Sequence, residues 1–310
     1  MAGAKILTPA ELQALSRRSD RSGALQIGIH VALIAGGVWL VATADRWTLL
    51  PAMLLLGIAQ AALFAPIHET MHNTAFASRR ANAWVGWLAA CPSLLNRQFY
   101  TAFHLAHHRH TQDPERDPEL GGPKPDNAAS YLARIGALPY WRTRLGVLRD
   151  GWRGDLSAYP YITDRVAPEV VASLRLMSLF VLACAALSMV LVGWWAPLVF
   201  WLIPQAIGQP FLRLYLLTEH TLCSMDDNGL TNTRTTLTNA AMRLLMWNMS
   251  YHTEHHLYPS IPFHRLPAAH ATLRSRLGVL QHGYVAWHVG FLRRLRQGAE
   301  RDHPTVKSAL

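Results

Sequence analysis

Charge is what this chain has least of. Only 15% of its 310 residues are Asp, Glu, Lys or Arg, against roughly 25% in an average soluble domain. The shortage is concentrated: residues 24–44 and 48–67 contain none. Each stretch has the ~20 residues that, at 1.5 Å per residue, cross a hydrocarbon core of roughly 30 Å. A second pair at 171–193 and 197–217 is interrupted only by Arg175 and Arg213. Cysteine is scarce too. Cys91, Cys184 and Cys223 show no Cys-x-x-Cys spacing, and their odd number argues against a disulfide framework. A cleavable secretory leader is not indicated, because the polar run Thr8 to Gly23 precedes the first apolar stretch and no small-residue cleavage site is apparent. The first apolar stretch therefore reads as a permanent anchor.

These features predict an all-α integral membrane protein with four transmembrane helices in two hairpins and a helical cap on one side. In chain order they give a terminal segment (1–23), a first hairpin (24–67), a block (68–170), a second hairpin (171–217) and a last block with a basic tail (218–310). Within the first block, Ala81 to Tyr100 is aromatic, moderately apolar and broken by Pro92, which reads as a helix lying in the membrane interface. Of the 29 Lys and Arg, Arg46 alone falls in the two short connections within the hairpins. The positive-inside rule then places both termini and both blocks in the cytoplasm. A formal net charge of +10 needs no nucleic acid. A basic face beside anionic lipid, or one that docks an acidic protein, accounts for it.

Histidine is abundant where charge is not, with 16 in the chain. Three clusters stand out: His68-Glu69-Thr70-Met71-His72, His104-Leu105-Ala106-His107-His108 and His252-Thr253-Glu254-His255-His256. Residues three and four apart share a helix face, so each cluster presents several imidazoles together. His220 follows the fourth apolar stretch at the depth of His68. All four segments meet the cytoplasmic mouth of the expected bundle. Counting His68, His72, His104, His107, His108, His220, His252, His255 and His256 gives enough nitrogen donors for two metal ions; ligand type alone admits zinc, copper, iron or nickel. Glu69, Asp113, Glu219 and Glu254 are candidates to accept the second ring N–H of such ligands and fix their orientation. His30 reads as a buried, hydrogen-bonded group. His264, His270, His282, His288 and His303 read as surface groups of the basic tail.

The runs HETMH, HLAHHRHTQD and YHTEHHLYP resemble the three histidine boxes of the integral-membrane fatty acid desaturase superfamily, which includes hydroxylases and carotenoid ketolases. The resemblance extends from about His68 to His270, with the boxes in order and two apolar stretches between the second and third. It implies a di-iron site at the cytoplasmic face that uses O2 and two electrons to attack an unactivated C–H bond. The eight box histidines would be its ligands, with His220 matching an additional one. An aliphatic, acyl-type lipid is the implied substrate. Gln205 and Gln209 would line its tunnel, and Asn232 and Arg234 would hold its head group. His252 stands where front-end desaturases carry Gln, which argues against that subclass. No His-Pro-Gly-Gly haem motif is present, so electrons are expected from a separate carrier: a ferredoxin, a rubredoxin or a small cytochrome. Two other readings compete. His68-Glu69-x-x-His72 is the signature of zinc proteases, and a metal carrier would string histidines through the spans, where His30 alone lies.

Overall fold

The computed structural model describes residues 6–122 and 124–297. The outer ends of the first and last expected segments, His303 among them, lie outside the described residues.

Helix starts follow local chemistry. Thr8 and Glu11 form a capping box before α1 (Pro9–Leu15), and Ser19 caps α2 (Asp20–Thr43). Residues 44–48 turn the chain into α3 (Leu49–Ala61), which continues through a loosened turn into α4 (Phe64–Met71). The break has a cause. Pro66 cannot donate a backbone hydrogen bond and crowds the carbonyl four residues earlier. Leu63 N bonds Gln60 O rather than the Ala59 carbonyl, and buried His30 takes that freed carbonyl, with Nε2 2.8 Å from Ala59 O.

Ser78 caps α5 (Arg79–Ala90) and Asn96 caps α6 (Arg97–His110). The expected interfacial helix over Ala81 to Tyr100 is thus two helices. Pro92 ends the first, and Leu94 turns the chain with φ 51°. Next come α7 (Ala128–Ile135), α8 (Leu138–Arg153) and α9 (Ala167–Leu191). A π-helical turn (Leu198–Leu202) runs into α10 (Ile203–His220). After it come β1 (Thr235–Leu237), α11 (Ala240–Leu245), α12 (His252–Leu257), α13 (Leu266–Leu273), β2 (Leu280–His282) and α14 (Tyr284–Arg296). The two strands pair in parallel, Thr235 with Leu280 through Leu237 with His282. The fold therefore departs from purely helical by one short ladder, which satisfies backbone groups of the chain leaving α10.

Three helical stretches among the described residues are long and apolar enough to cross a membrane: Asp20–Thr43, Leu49–Met71 and Ala167–Leu191. The second is 72% buried while the first and third are 17% and 28% buried, so α3–α4 is the central element and α2 and α9 present apolar outer faces. The fourth expected stretch, 197–217, forms the π turn and most of α10. It is less apolar because Gln205, Gln209 and Arg213 lie along it. Pro204 explains the π turn, since it cannot bond the Phe200 carbonyl. Gln60 Nε2 of α3 donates to that carbonyl instead, at 2.7 Å.

Candidate metal centre

The three boxes and His220 arrive from different directions at one place. His68 and His72 close α3–α4; His104, His107 and His108 lie on the last turns of α6. His220 ends α10, and His252, His255 and His256 occupy α12. The two His-x-x-His-His boxes do not each serve one point. His68, His72, His104, His108 and His255 form one group whose ligand atoms all lie within 4.8 Å of one another, and His107, His220 and His256 form a second. His252 joins the second through His220, Nε2 to Nε2 at 3.1 Å. Helix geometry explains the division. At 3.6 residues per turn, positions i and i+4 nearly align while i+3 falls on the other side of i. Each box therefore sends its i and i+4 histidines to one group and its i+3 histidine to the other. The groups touch where His108 and His256 stack, ring centroids 4.1 Å apart.

The protonation pattern fits metal ligation. His107 Nδ1 lies 2.9 Å from Asp117 Oδ1, and His220 Nδ1 donates to Asn232 O at 3.1 Å. With Nδ1 as donor, each Nε2 carries a lone pair. Those two nitrogens nonetheless face each other at 3.2 Å. His104 and His108 meet the same way at 2.9 Å, and His108 and His255 at 3.1 Å. Nitrogens that share a cation at about 2.1 Å and a right angle lie about 3 Å apart. Several ring nitrogens, including His72 Nε2 and His256 Nε2, are buried with no partner. Burial pushes His72 down to about 3, and burial, then neighbouring imidazoles, hold His104, His255 and His256 well below the usual histidine range. These rings are therefore held neutral, the form in which imidazole can bind a metal. Burial also pushes His107 down, but Glu119 and then Asp117 leave it above its ordinary value.

The remaining candidates distribute as follows. Glu69 is fully buried; its Oε2 accepts from Thr74 Oγ1 at 2.8 Å and Phe263 N at 3.1 Å, and Oε1 lies 3.9 Å from His68 Nδ1. Held this way it braces the first box, an arrangement unlike the free general base of a zinc protease. Glu219 Oε1 lies 3.6 Å from His252 Nδ1. Glu254 turns away from the two histidine groups to bond His270 Nδ1 and Thr235 Oγ1. Asp113 pairs with Arg116 at 2.7 Å on the surface and is not brought to a histidine. Gln209 Nε2 donates to Gln205 Oε1 at 3.1 Å, and both side chains are buried. Asn232 contributes its main-chain carbonyl to His220, and Arg234 donates to the carbonyls of Thr218 and Thr221. Both tie the post-α10 loop to the helix.

Sequence reasoning missed Asp117, which sits four residues from Asp113 in a similar Asp-Pro setting. Burial pushes its carboxyl up, but the hydrogen bond and charge of His107, together with the backbone N–H groups of Gln112 and Glu119, more than offset that. It also missed Tyr100, 3.4 Å from His104 Nδ1, and Thr111, 3.3 Å from His256 Nδ1. Asp117→Ala is expected to weaken metal binding about 10–100-fold, as for other outer partners of ligating histidines, with Asp113→Ala near wild type. Metal titration by equilibrium dialysis reads both.

Two tail histidines expected at the surface are buried. His270 packs under α12 against Glu254. His288 bridges helices, with Nδ1 3.1 Å from Tyr131 OH and Nε2 3.0 Å from Leu214 O. Composition hid them: α13 and α14 each turn one apolar stripe inward, and these histidines lie on it. His288→Ala is expected to cost about 1–3 kcal/mol through the orphaned partners, whereas exposed His282→Ala should leave the thermal midpoint unchanged. Equal midpoints for the two variants would contradict the burial.

An apolar, membrane-type helical scaffold thus brings together two histidine groups that could hold metal ions. Comparison with known proteins agrees. The fatty acid desaturase family model matches residues 45–289, so the chain belongs to that family. It is similar to the dihydrorhizobitoxine desaturase of Bradyrhizobium elkanii, 27% identical over 80% of this chain and 74% of that protein. It is similar to the human sphingolipid delta(4)-desaturase/C4-monooxygenase, 26% identical over 83% and 75%, and to a beta-carotene ketolase of a Paracoccus species, 26% identical over 78% and 88%. The chain is an oxidoreductase of the desaturase and hydroxylase type. Its family is iron-dependent, and its histidine groups could hold that metal.

Proposed function

We propose that this protein is a membrane-bound, O2-dependent desaturase that holds two irons and introduces a double bond into an aliphatic, acyl-type chain. The observation that carries the reading is the sorting of nine imidazoles into two touching groups at the end of the apolar helices. In this reading His68, His72, His104, His108 and His255 hold one iron, and His107, His220, His252 and His256 the other. When bound at these residues, iron would supply activation of O2 for attack on an unactivated C–H bond. The protein supplies orientation and dryness: Asp117 and the Asn232 carbonyl fix the rings of His107 and His220, while Glu69 anchors the first box to the Phe263 backbone.

A fourth crossing follows if α10 and its π turn complete the second hairpin. Arg46 is the single basic residue of the connections within the two hairpins, which supports a cytoplasmic site and termini. An apolar cavity of about 380 Å³, lined by Leu63, Cys91, Pro92, Phe180 and Trp201, opens between the helices and suits an alkyl chain. Electrons come from a separate ferredoxin, rubredoxin or small cytochrome docking on the basic face. Rates that do not fall with ionic strength would argue against that docking.

The test is reconstitution of iron-loaded protein in lipid discs with each carrier class, reading O2 uptake and product mass. Uptake coupled to loss of two hydrogens from an added lipid supports desaturation, and gain of one oxygen replaces it with hydroxylation. No carrier-dependent uptake with any of the three classes overturns the reading.

A further inference from the structure

Three polar residues four apart, Gln205, Gln209 and Arg213, form a stripe along one face of α10. Gln205 Nε2 lies 3.3 Å from Ser93 Oγ, and the Gln209 Oε1 above it is buried with no partner. At the top of the stripe the Arg213 guanidinium lies 4.4 Å from the ring centroid of Tyr140. Arg144 of α8 lies 5.5 Å from the same ring and 5.7 Å from Phe99. Tyr140 is fixed, its OH donating to Ser93 O at 2.7 Å.

Arg144 is only 9% exposed, yet its Nε and Nη1 have no hydrogen-bond partner, nor does Arg213 Nε. Among the described residues neither arginine forms an ion pair. Ring faces offset only part of the cost of desolvating a guanidinium. Arg144 is buried and Arg213 half-buried. Glu119 and Glu219 act on Arg213 electrostatically from beyond ion-pair distance. Two cations that share one aromatic ring, with no carboxylate paired to either, are thus half of a recognition site.

We propose that Arg144 and Arg213 bind the anionic head group, a carboxylate or a phosphate, of the substrate. This rests on the proposed function and narrows its substrate class to anionic amphiphiles. Planar donor forks are matched to both anions. The position is apt on two sides. Arg213 precedes His220 by seven residues, about 10 Å along the helix. The turn that carries Ser93 also carries Cys91 and Pro92, which line the apolar cavity. A head group at the arginines leaves the tail to the cavity and brings carbons near the head group closest to the histidines.

The test is a binding measurement on the full-length, iron-loaded protein in detergent, with dodecanoate, dodecyl phosphate and dodecanol as probes of equal chain length. One or both anions are expected to bind about tenfold or more tighter than the alcohol, as charge-assisted bidentate pairing implies, and the tighter anion identifies the head group. In Arg144→Gln and Arg213→Gln the preference should collapse to about twofold. Equal affinity of the wild type for all three probes overturns the proposal even if neither variant folds. So does a preference that survives in both variants. Because binding is read without turnover, anion selectivity in a protein that consumes no O2 would uphold this site and condemn only the proposed reaction.

Discussion

His255→Ala is expected to abolish turnover and to lower bound iron from about two per chain to one or fewer, a larger effect than loss of any outer partner. His255 is the single residue that α12 sends to the first histidine group. Its ring centroid lies 4.4 Å from that of His68 and 4.7 Å from that of His72, and its Nε2 lies 3.1 Å from His108 Nε2. Alanine removes a donor from a set of five and leaves a void at a position that is 1% exposed, where no surface side chain can substitute. The loss leaves the third box in contact with the first only through His252 and His68, ring centroids 6.5 Å apart. Iron by plasma emission and O2 uptake on the same preparation check both parts. Full activity in His255→Ala would defeat the two-iron assignment. One zinc per chain, unaffected by the substitution, would do the same.

What the sequence disclosed about this site was set by local periodicity. The i, i+3, i+4 spacing of the boxes and the charge-free runs are short-range signals, and they brought out all nine histidines and the three strongest apolar helices. What it concealed depends on long-range placement. Asp113 and Asp117 carry the same local chemistry, and only the path of the loop after α6 puts Asp117 against His107. His270 and His288 sit among arginines in sequence, but their helix faces turn inward. Helix periodicity divides each His-x-x-His-His box, but which partners each half meets, His255 with the first box and His107 with His220, depends on the relative placement of α6, α10 and α12, which no local pattern encodes. Gln205 and Gln209 looked alike as tunnel residues. Their pairing with each other and with Ser93 became visible only when α10 was placed against the turn after α5.

Gly57→Ala is expected to destabilise the fold by about 2–3 kcal/mol, the cost typical of overpacking a rigid contact, and to remove activity with it. A Cβ on Gly57 would overlap the Pro204 carbonyl oxygen and sit 2.7 Å from its carbon, while one on Gly208 would lie 2.7 Å from the Gly57 Cα. Both obstacles are backbone, so no flexible side chain can yield and α3 and α10 must separate. Small residues that let helix backbones touch are a common device between apolar helices. The gain of about 1 kcal/mol in helix propensity from glycine to alanine is too small to reverse the sign. Separation breaks the Gln60 bond to the Phe200 carbonyl. It also shifts His68 and His72 at one helix end relative to His220 at the other, which pulls the two histidine groups apart. Gly28 on α2 provides the control, with nothing within 4 Å of an added Cβ; Gly28→Ala should hold or raise the thermal midpoint. A Gly57→Ala protein that melts with the wild type and keeps its metal would show that α3 and α10 do not meet backbone to backbone at this crossing.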